Sequence, residues 1–249
     1  MSARRLFIDA SLPSAGGPIQ LNIDQWHYLH RVLRLTAHDE IEVRDGHGGA
    51  HQARISGNAE LLLGPRFELP TAAEPAIRLC FAPSKGKRFD YVLEKAAEIG
   101  ATVLQPIITG RTVRKPDGSA RARWNRIASE AARQSGAAHL PEVYAPVPLS
   151  EAVDATGGLA LIARPGATLP IGVALDQRAL VSPPLTASPA PPELISIFTG
   201  PEGGFTDAEL AQADLKGFVA VSLGSRILRA ETAPIVALTL ALARLGRID

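Results

Sequence analysis

The spacing of apolar residues changes near residue 76, and this change limits the folds that the chain can adopt. Beyond that point, strand-like apolar runs alternate with two segments at helical spacing, residues 89–100 and residues 123–136. Each helical segment carries its apolar side chains on one face and ends at a glycine. This alternation predicts an α/β fold with a mainly parallel sheet. The strands are expected at residues 77–82, 102–108, 159–163, 194–198 and 218–223.

The first seventy residues follow a different pattern, in which short strand-like runs are separated by turns. The strands are expected at residues 5–8, 19–23, 40–45, 51–55 and 61–69. The glycine-rich segment 45–49 lies where two alternating runs meet, as a hairpin requires. A small β-rich unit is therefore predicted ahead of the α/β unit.

One segment of the β-rich unit, residues 23–35, has helical spacing. We expect Asp24 to be its N-cap, because a carboxylate oxygen can accept a hydrogen bond from a free N–H group of the first turn. The residues expected on its apolar face are Trp26, Leu29, Val32 and Leu33.

Two segments are interpreted as connections. The segment PTAAEPA, residues 70–76, reads as a linker, so the two domains are expected at residues 1–72 and 73–249. Residues 178–193 contain five prolines, which deny the backbone both donors and helical angles, so a surface loop is expected there.

Composition excludes several classes of protein. The 26 basic and 25 acidic residues give a formal charge of +1, so a polyanion would have to bind a local patch. The single Cys80 excludes a disulfide framework and a cysteine-rich zinc site, and it favours a reducing, cytoplasmic compartment. No signal peptide is apparent, and the most apolar stretch, residues 235–245, is too short to span a bilayer, so we expect no membrane association.

The strongest local signal is the segment IFTGPEGGFTDAEL, residues 197–210, in which a strand enters a glycine-rich turn and then a helix. Glycine permits positive φ and a close approach of ligand to backbone, whereas proline fixes one torsion beside it. Thr206 and Glu209 match a capping box, flanked by Phe205 and Leu210 as a hydrophobic staple. Three glycines, a proline and an acid in five positions favour a ligand-binding loop over a plain connection.

A second signal follows the last strand, where a charged segment precedes a nearly all-apolar helix. Thr232 is its expected cap, and Pro234 is tolerated in its first turn. A helix with so little polar surface is expected to be buried in the core or in a subunit interface. Arg226, Arg229 and Glu231 lie just before it, and they either pair with one another or include a catalytic residue.

Positive charge is concentrated locally. Seven basic and two acidic side chains lie between residues 111 and 133, and two smaller basic groups occur at residues 4–5 and 85–88. Such clusters favour contacts with a phosphate backbone. The alternative is a solvated helix face on which Arg126 pairs with Glu130. The candidate RNA-binding residues are Arg4, Arg5, Lys85, Lys87, Arg88, Arg111, Arg123, Arg126 and Arg133.

Several nucleotide and metal motifs do not fit. A P-loop needs a glycine where this chain has Phe81, and no Ser or Thr follows Lys87. No Gly-x-Gly-x-x-Gly pattern follows a strand. The histidine pairs His27 with His30 and His47 with His51 have no evident third ligand, so no metal site is expected.

The ordered set of motifs resembles a known family. The segments HYLHRVLRL, KGKRFDYVLEKAAEIGATVLQPIITGRTV, RWNRIASEAARQSG, TGPEGGFTDAEL and SLGSRILRAETA are similar, over nearly the whole chain, to the RsmE-type 16S ribosomal RNA uracil methyltransferases of the SPOUT superfamily. The resemblance implies an N-terminal PUA-like β-barrel, a C-terminal α/β domain with a trefoil knot, and an obligate homodimer. It also implies S-adenosylmethionine as cofactor and 16S rRNA or the small ribosomal subunit as partner.

By the same resemblance, three loops of the α/β domain would wrap the cofactor. The cofactor-binding residues so implied are Leu161, Ala163, Thr199, Gly200, Pro201, Glu202, Gly203, Gly204, Leu223, Gly224, Ile227 and Leu228. Arg111 matches a family arginine that would hold a phosphate. One departure is Ala137, which follows the QSG segment where family members commonly have arginine.

The implied reaction transfers a methyl group to N3 of a uracil, which needs either a base that accepts the N3 proton or a group that stabilises the uracil anion. The candidate catalytic residues are Glu202, Arg229 and Glu231, and the sequence does not choose between the two acids. Two alternatives remain open at this point: a SPOUT enzyme that acts on another base or on a ribose hydroxyl, and a noncatalytic RNA-binding assembly factor.

Overall fold

The computed structural model describes residues 4–8, 10–57, 59–70, 75–84, 87–113, 116, 119–179 and 194–248. The chain forms two compact units. The N-terminal unit comprises Met1–Ala72 together with Gly136–Leu140, and the C-terminal unit comprises Ala73–Ser135 and Pro141–Asp249. The short segment Gly136–Leu140 thus belongs to the first unit although it follows a long part of the second.

The N-terminal unit is built on a five-stranded sheet in the order β1-β3-β4-β5-β2. β1 pairs in parallel with β3, and the other three pairings are antiparallel. The strands are β1 (Arg5–Phe7), β2 (Gly17–Gln20), β3 (Glu40–Arg44), β4 (Gly49–Gly57) and β5 (Glu60–Glu68). The predicted hairpin joins β3 to β4, where Asp45 Oδ1 accepts hydrogen bonds from the N–H groups of His47 and Gly49 at 2.7 and 2.9 Å.

The helical segment of this unit differs from the prediction at both ends. Helix α1 (Ile23–His27) is capped by Asn22, which forms a capping box with Gln25, so the assignment of Asp24 as N-cap is wrong. A π-helical turn, Tyr28–Val32, follows directly. Its wider turn rotates later side chains away from the α-helical face, and Val32, expected in the core, is 64% exposed.

The segment Gly136–Leu140 is held by backbone hydrogen bonds and by one buried arginine. The Gly48 N–H donates to the Ala138 carbonyl at 3.1 Å. The Arg44 guanidinium donates to the carbonyls of Gly136 and Ala137. The backbone at Ala137, where the sequence departs from the family pattern, therefore serves as a hydrogen-bond acceptor within the N-terminal unit.

The C-terminal unit contains a seven-stranded sheet in the order β12-β10-β11-β6-β7-β8, with β9 also paired to β7. Every one of these pairings is parallel. The strands are β6 (Ala76–Phe81), β7 (Val103–Ile108), β8 (Glu142–Val143), β9 (Val147–Pro148), β10 (Leu159–Ala163), β11 (Leu194–Thr199) and β12 (Val219–Val221). The parallel α/β architecture expected from the alternating pattern is confirmed.

Helices cover both faces of this sheet, and each face has its own hydrophobic cluster. The helices are α2 (Arg88–Ile99), α3 (Ala120–Ser135), α4 (Leu149–Asp154), α5 (Ile171–Ala179), α6 (Asp207–Leu215) and α7 (Thr232–Arg244). Helices α2, α3, α5 and α7 pack on one face, and α4 and α6 pack on the other. Burial on both faces explains why the strands read as continuous apolar runs.

Four elements of this unit were not predicted: β8, β9, α4 and α5. The two strands have two residues each and α4 has six, which is too short to show a period. The surface loop expected at residues 178–193 starts two residues too early, because α5 continues to Ala179. Its remaining residues, 180–193, and most of the expected linker, residues 71–74, lie outside the described residues.

Helix α7 packs into the core of its own unit. Ala237, Leu238, Ala241 and Leu242 are buried on one face, whereas Leu240 on the opposite face is 40% exposed. The assignment of Thr232 as cap is wrong, because Glu231 occupies the N-cap position and provides no side-chain cap. The Arg229 carbonyl instead accepts hydrogen bonds from the N–H groups of Thr232 and Ala233 at 2.9 Å each.

Cys80 is fully buried on β6. Burial raises the pKa of its thiol to about 12, against a smaller lowering effect of the Arg78 charge. Because the thiolate is the reactive form, this cysteine is a core residue and not a nucleophile.

None of the helices in the described ranges combines the length and the apolar character needed to cross a membrane.

Leu238→Ala tests the contribution of α7 to the core. Leu238 is fully buried, so the substitution removes packing and leaves a cavity, and we expect the free energy of unfolding to fall by about 2–5 kcal/mol. Urea denaturation followed by circular dichroism measures the change. The same substitution at the exposed Leu215 is the control and should change stability by less than about 0.5 kcal/mol. Equal effects at the two positions would contradict the placement of α7.

Candidate active site

A cavity of about 650 Å³ lies beyond the carboxyl ends of β10, β11 and β12, which are neighbours in the sheet. In a parallel sheet the loops that follow adjacent strands emerge at the same edge and meet there. The cavity is lined by residues 163–165 after β10, by residues 199–205 after β11, and by residues 227–231 after β12. Arg88, Arg111, Leu210 and Ala233 complete the wall.

The loop after β11 is narrow because of its glycines. A Cβ atom on Gly200 would come within 3.3 Å of the Gly204 backbone and of the Phe205 ring. Gly204 has a φ of +68°, which side-chain-bearing residues rarely adopt. The loop therefore presents its backbone to the cavity, as the motif predicts.

The same loop is fixed from outside by the capping box of α6. Thr206 caps the helix, its Oγ1 accepting from the Glu209 N–H at 3.3 Å, and the Glu209 carboxylate accepts from the Thr206 N–H at 2.7 Å. The other oxygen of Glu209 accepts from the Gly110 N–H at 2.7 Å. The predicted capping box is confirmed, and it also joins this loop to the loop after β7.

Arg111 is a second clamp on the glycine-rich loop. Its Nη1 donates to the carbonyls of Gly203 and Phe205 at 2.6 and 3.1 Å. A Cβ on Gly203 would come within 3.2 Å of the Arg111 side chain, which would have to shift by a few tenths of an ångström to accommodate it. Arg111 lines the cavity, but it already uses some of its N–H groups to bind the glycine-rich loop.

Two oxygens in the cavity wall have no hydrogen-bond partner among the described residues. They are Thr199 Oγ1 and Glu231 Oε2, and both are buried. The side chain of Glu231 is 16% exposed, and its Oε1 lies 3.6 Å from Arg88 Nε. Buried polar atoms are nearly always paired, so two unpaired oxygens on residues that line one cavity are candidate contacts for a polar ligand.

The other candidate catalytic residues, Glu202 and Arg229, also line the cavity, but both are exposed. The alternative in which Arg226, Arg229 and Glu231 pair with one another is not what the structure has, since Glu231 pairs with Arg88. The carboxylate of Glu202 is thus exposed, whereas that of Glu231 is largely buried and paired, a difference that the sequence could not show.

A smaller cavity of about 160 Å³ adjoins the first and shares part of its wall. Leu223 and Gly224 line this smaller cavity and not the larger one. Leu161 lines neither cavity, because it is fully buried in the core on β10. The nine other predicted cofactor-binding residues all line the larger cavity.

Four of the predicted RNA-binding arginines form internal ion pairs. Arg4 pairs with Asp39, Arg5 with Glu42, Arg88 with Glu231 and Arg123 with Asp90. Lys87 and Arg126 are exposed, and Arg133 is half-buried. Lys85 lies outside the described residues. The alternative pairing of Arg126 with Glu130 is not observed, since Glu130 accepts from Gln134 at 3.0 Å.

Two exposed arginines of the N-terminal unit, Arg31 and Arg34, were not among the predicted RNA-binding residues. Neither forms a salt bridge within the described ranges, whereas Arg4, Arg5, Arg44, Arg54 and Arg66 of this unit all do. The signal was present, because no acidic residue occurs between Asp24 and Asp39. Arg164, which lines both cavities and lies 3.5 Å from Asp214, was also missed.

No group of three or more His, Cys, Asp or Glu side chains that could hold a metal ion occurs in the part of the chain that the structure describes.

Comparison with known proteins gives a consistent family. Residues 72–242 match an RNA methyltransferase domain, and residues 21–62 match an RNA methyltransferase PUA domain. A ribosomal RNA small subunit methyltransferase E from Synechocystis sp. is 41% identical over 230 residues, which cover 88% of this chain and 71% of that protein.

Two solved structures are similar over almost the full length. One is a ribosomal RNA small subunit methyltransferase E from Neisseria gonorrhoeae bound to S-adenosylmethionine, with a TM-score of 0.79, 31% identity and 97% of each chain covered. The other is a putative methyltransferase from Legionella pneumophila with bound S-adenosylmethionine, with a TM-score of 0.79, 27% identity and 98% of each chain covered. With its PUA-like N-terminal region and its SPOUT-type α/β unit, the chain belongs to the ribosomal RNA small subunit methyltransferase E family of RNA methyltransferases.

Proposed function

We propose that this protein uses S-adenosylmethionine to methylate N3 of a specific uridine in the 16S rRNA of the small ribosomal subunit. The observation that carries the proposal is the glycine-lined cavity with two unpaired buried oxygens at the carboxyl ends of three parallel strands. The names of the relatives and the S-adenosylmethionine bound to two structural neighbours support it.

The cavity suits this cofactor in size and in chemistry. Its volume of about 650 Å³ lies within the range of roughly 300–1,000 Å³ typical of small-molecule sites. Thr199 Oγ1 and the backbone of residues 199–204 would hold polar groups, and Ile227 and Leu228 would cover apolar surface. Leu223 and Gly224 would contact a part of the cofactor that extends into the adjoining small cavity. When bound, S-adenosylmethionine supplies a methyl group on a positively charged sulfur.

The chain's own residues then have to prepare the uracil. We assign Glu231 as the group that accepts the N3 proton, because Glu231 lines the cavity and its Oε2 is buried without a hydrogen-bond partner among the described residues. Arg88, 3.6 Å from the other oxygen, orients the carboxylate. Loss of the proton leaves negative charge on the uracil carbonyl oxygens, which the exposed Arg229 can stabilise. Glu202 is exposed, so water competes for its oxygens and it is the weaker candidate.

RNA binding is assigned to residues 1–72 and to the exposed cations of the α/β unit, residues 73–249. In the N-terminal unit, Arg31 and Arg34 are exposed beside Tyr28, which can stack on a base. We prefer Arg31 and Arg34 to Arg4 and Arg5 as RNA-binding residues, because Arg4 already pairs with Asp39 and Arg5 with Glu42. The target uridine must leave its stack to reach the cavity.

The assembly proposed is a cytoplasmic homodimer in which the loops around the cavity form a trefoil knot. Exposed apolar side chains support a subunit contact, since Ile227 is 86% exposed and Leu240 lies on the outer face of α7. Ribosomal RNA as substrate supports the cytoplasm, because the small subunit is assembled there.

Methylation in vitro tests the reaction and the role of Glu231. The wild-type protein, incubated with S-adenosylmethionine and either free 16S rRNA or small subunits, should form 3-methyluridine detectable by nucleoside mass spectrometry. Glu231→Gln keeps the shape but cannot accept the proton, so kcat should fall by about 10²- to 10⁴-fold with cofactor affinity retained. Glu202→Gln is the matched control and should lose far less. A larger loss for Glu202→Gln would reverse the assignment, and a methylated ribose or another methylated base would refute the product.

Thr199→Val tests the cofactor assignment. Thr199 Oγ1 has no partner to lose, so the stability of the free protein should not fall. Its bond to the cofactor, about 0.5–1.5 kcal/mol, should disappear, which weakens S-adenosylmethionine binding about two- to tenfold in calorimetry. Thr206→Val is the contrasting variant, because it loses the helix cap and about 1 kcal/mol of stability. A folded wild type that binds no S-adenosylmethionine would favour the noncatalytic assembly factor.

Arg31→Gln and Arg34→Gln, made singly and in combination, test the RNA surface. Loss of two phosphate contacts should weaken RNA binding and reduce the slope of log affinity against log salt by about one per arginine. Arg54→Gln is the control for charge, because Arg54 is exposed but lies 3.3 Å from Glu40. Filter binding over a salt series measures both quantities. If Arg54→Gln reduces the slope as much as either single substitution does, the proposed surface is wrong.

A further inference from the structure

A third cavity, of about 490 Å³, lies in the C-terminal unit and shares no lining residue with the two described above. Its wall is formed by β6, β7 and β11 and by the chain from Tyr144 to α4. The lining residues are Arg78, Val103, Gln105, Tyr144, Ala145, Val147, Glu151, Ala152, Ala155 and Leu194. Leu194 and Val103 are the first residues of their strands, so this cavity lies toward the amino ends, away from the candidate active site.

Arg78 is the unusual residue of this cavity. It is only 7% exposed, although it carries a full positive charge on a central strand of the sheet. Its Nη2 donates to Gln105 Oε1 at 3.1 Å, and its Nε is buried without a hydrogen-bond partner. It forms no salt bridge with any carboxylate in the described ranges.

The surroundings of Arg78 are fixed and polar. Gln105 donates through Nε2 to the Ala145 carbonyl at 2.8 Å and to the Pro106 carbonyl at 3.0 Å, so its Oε1 is held toward Arg78. Ser196, the register partner of Arg78 on β11, is fully buried, and its Oγ also has no partner. Two neighbouring strands thus place unpaired polar groups side by side.

An unpaired buried cation is costly for a protein, because the charge has lost its water and has gained no counter-charge. Glu151 also lines the cavity, but it is exposed on α4 and makes no salt bridge with Arg78 in the part of the chain described. Arg78 lines the cavity without a counter-charge among the described residues, so a small anion in the cavity would supply one. Val147, Ala152, Ala155 and Leu194 would surround the rest of such a ligand with apolar surface.

We propose that this cavity binds a small oxyanion-bearing molecule, a carboxylate or a phosphate monoester, whose charged group pairs with Arg78. A guanidinium matches the two oxygens of either group. Arg78 is too deeply buried for an RNA backbone to reach, so the ligand is a free small molecule. The site is independent of the proposed methyl transfer.

Anion-dependent stabilisation tests the proposal. Thermal denaturation and calorimetry are performed on the wild-type protein with sodium benzoate, phenyl phosphate or inorganic phosphate at constant ionic strength. A ligand that binds only the folded chain raises the melting temperature in a saturable way. Saturation by benzoate identifies a carboxylate site, and saturation by the phosphates identifies a phosphate site.

Two variants remove the site in different ways. Arg78→Met removes the cation and should raise the dissociation constant at least about tenfold. It also leaves the buried Gln105 Oε1 without its donor, so the stability of the unliganded variant is measured first and binding is compared only for the folded protein. Ala155→Phe keeps Arg78 but fills the cavity from an exposed position, and it should also abolish the response. Arg54→Met, at an exposed arginine, controls for net charge and should leave the response unchanged.

The proposal is overturned if no probe at millimolar concentration stabilises the wild type. It is also overturned if the anions stabilise Ala155→Phe as much as they stabilise the wild type, whether or not the separate variant Arg78→Met folds. The anions would then bind elsewhere on the surface. Binding of S-adenosylmethionine by the same variants, measured in parallel, separates loss of this site from failure of the proposed enzymatic function.

Discussion

The parallel pairing of β12, β10 and β11 is the constraint on which the candidate active site depends. Parallel strands share a direction, so the loops after these three neighbours emerge at one edge of the sheet. Residues 163–165, 199–205 and 227–231, which are far apart in the chain, therefore line one cavity. The flanking helices bury both faces of the sheet and hold the strand ends in place. The site is thus a consequence of strand order more than of any one motif.

Three buried side-chain atoms of the C-terminal unit that lack a hydrogen-bond partner among the described residues belong to residues that line a cavity. Thr199 Oγ1 and Glu231 Oε2 belong to residues of the cavity at the carboxyl ends of the strands, and Arg78 Nε belongs to a residue of the cavity toward their amino ends. Each unpaired buried group costs about 1–3 kcal/mol, which the surrounding core has to offset. Packing alone would favour apolar residues at the same positions, so the retention of these polar groups supports the two ligand sites proposed above.

The cations show why charge density along the sequence is a limited guide to RNA contacts. Arg123 pairs with Asp90, and Arg4 pairs with Asp39, although more than thirty residues separate the members of each pair. Only the fold brings these acids close to the arginines. A count of basic residues along the sequence therefore includes arginines that are already paired in the folded protein. Arg31 and Arg34 stand in no dense cluster, yet they are exposed and lack acidic partners in the described part of their unit.

The sequence by itself determined the features that depend on neighbours within about one turn of helix or one strand: the α/β alternation, the ends of α2 and α3 at Gly100 and Gly136, and the capping box at Thr206. Only the tertiary structure decided which acid is shielded, which arginines are free, and that Arg111 clamps the glycine-rich loop. These outcomes depend on burial and on partners distant in the chain, and local residue patterns carry no record of either.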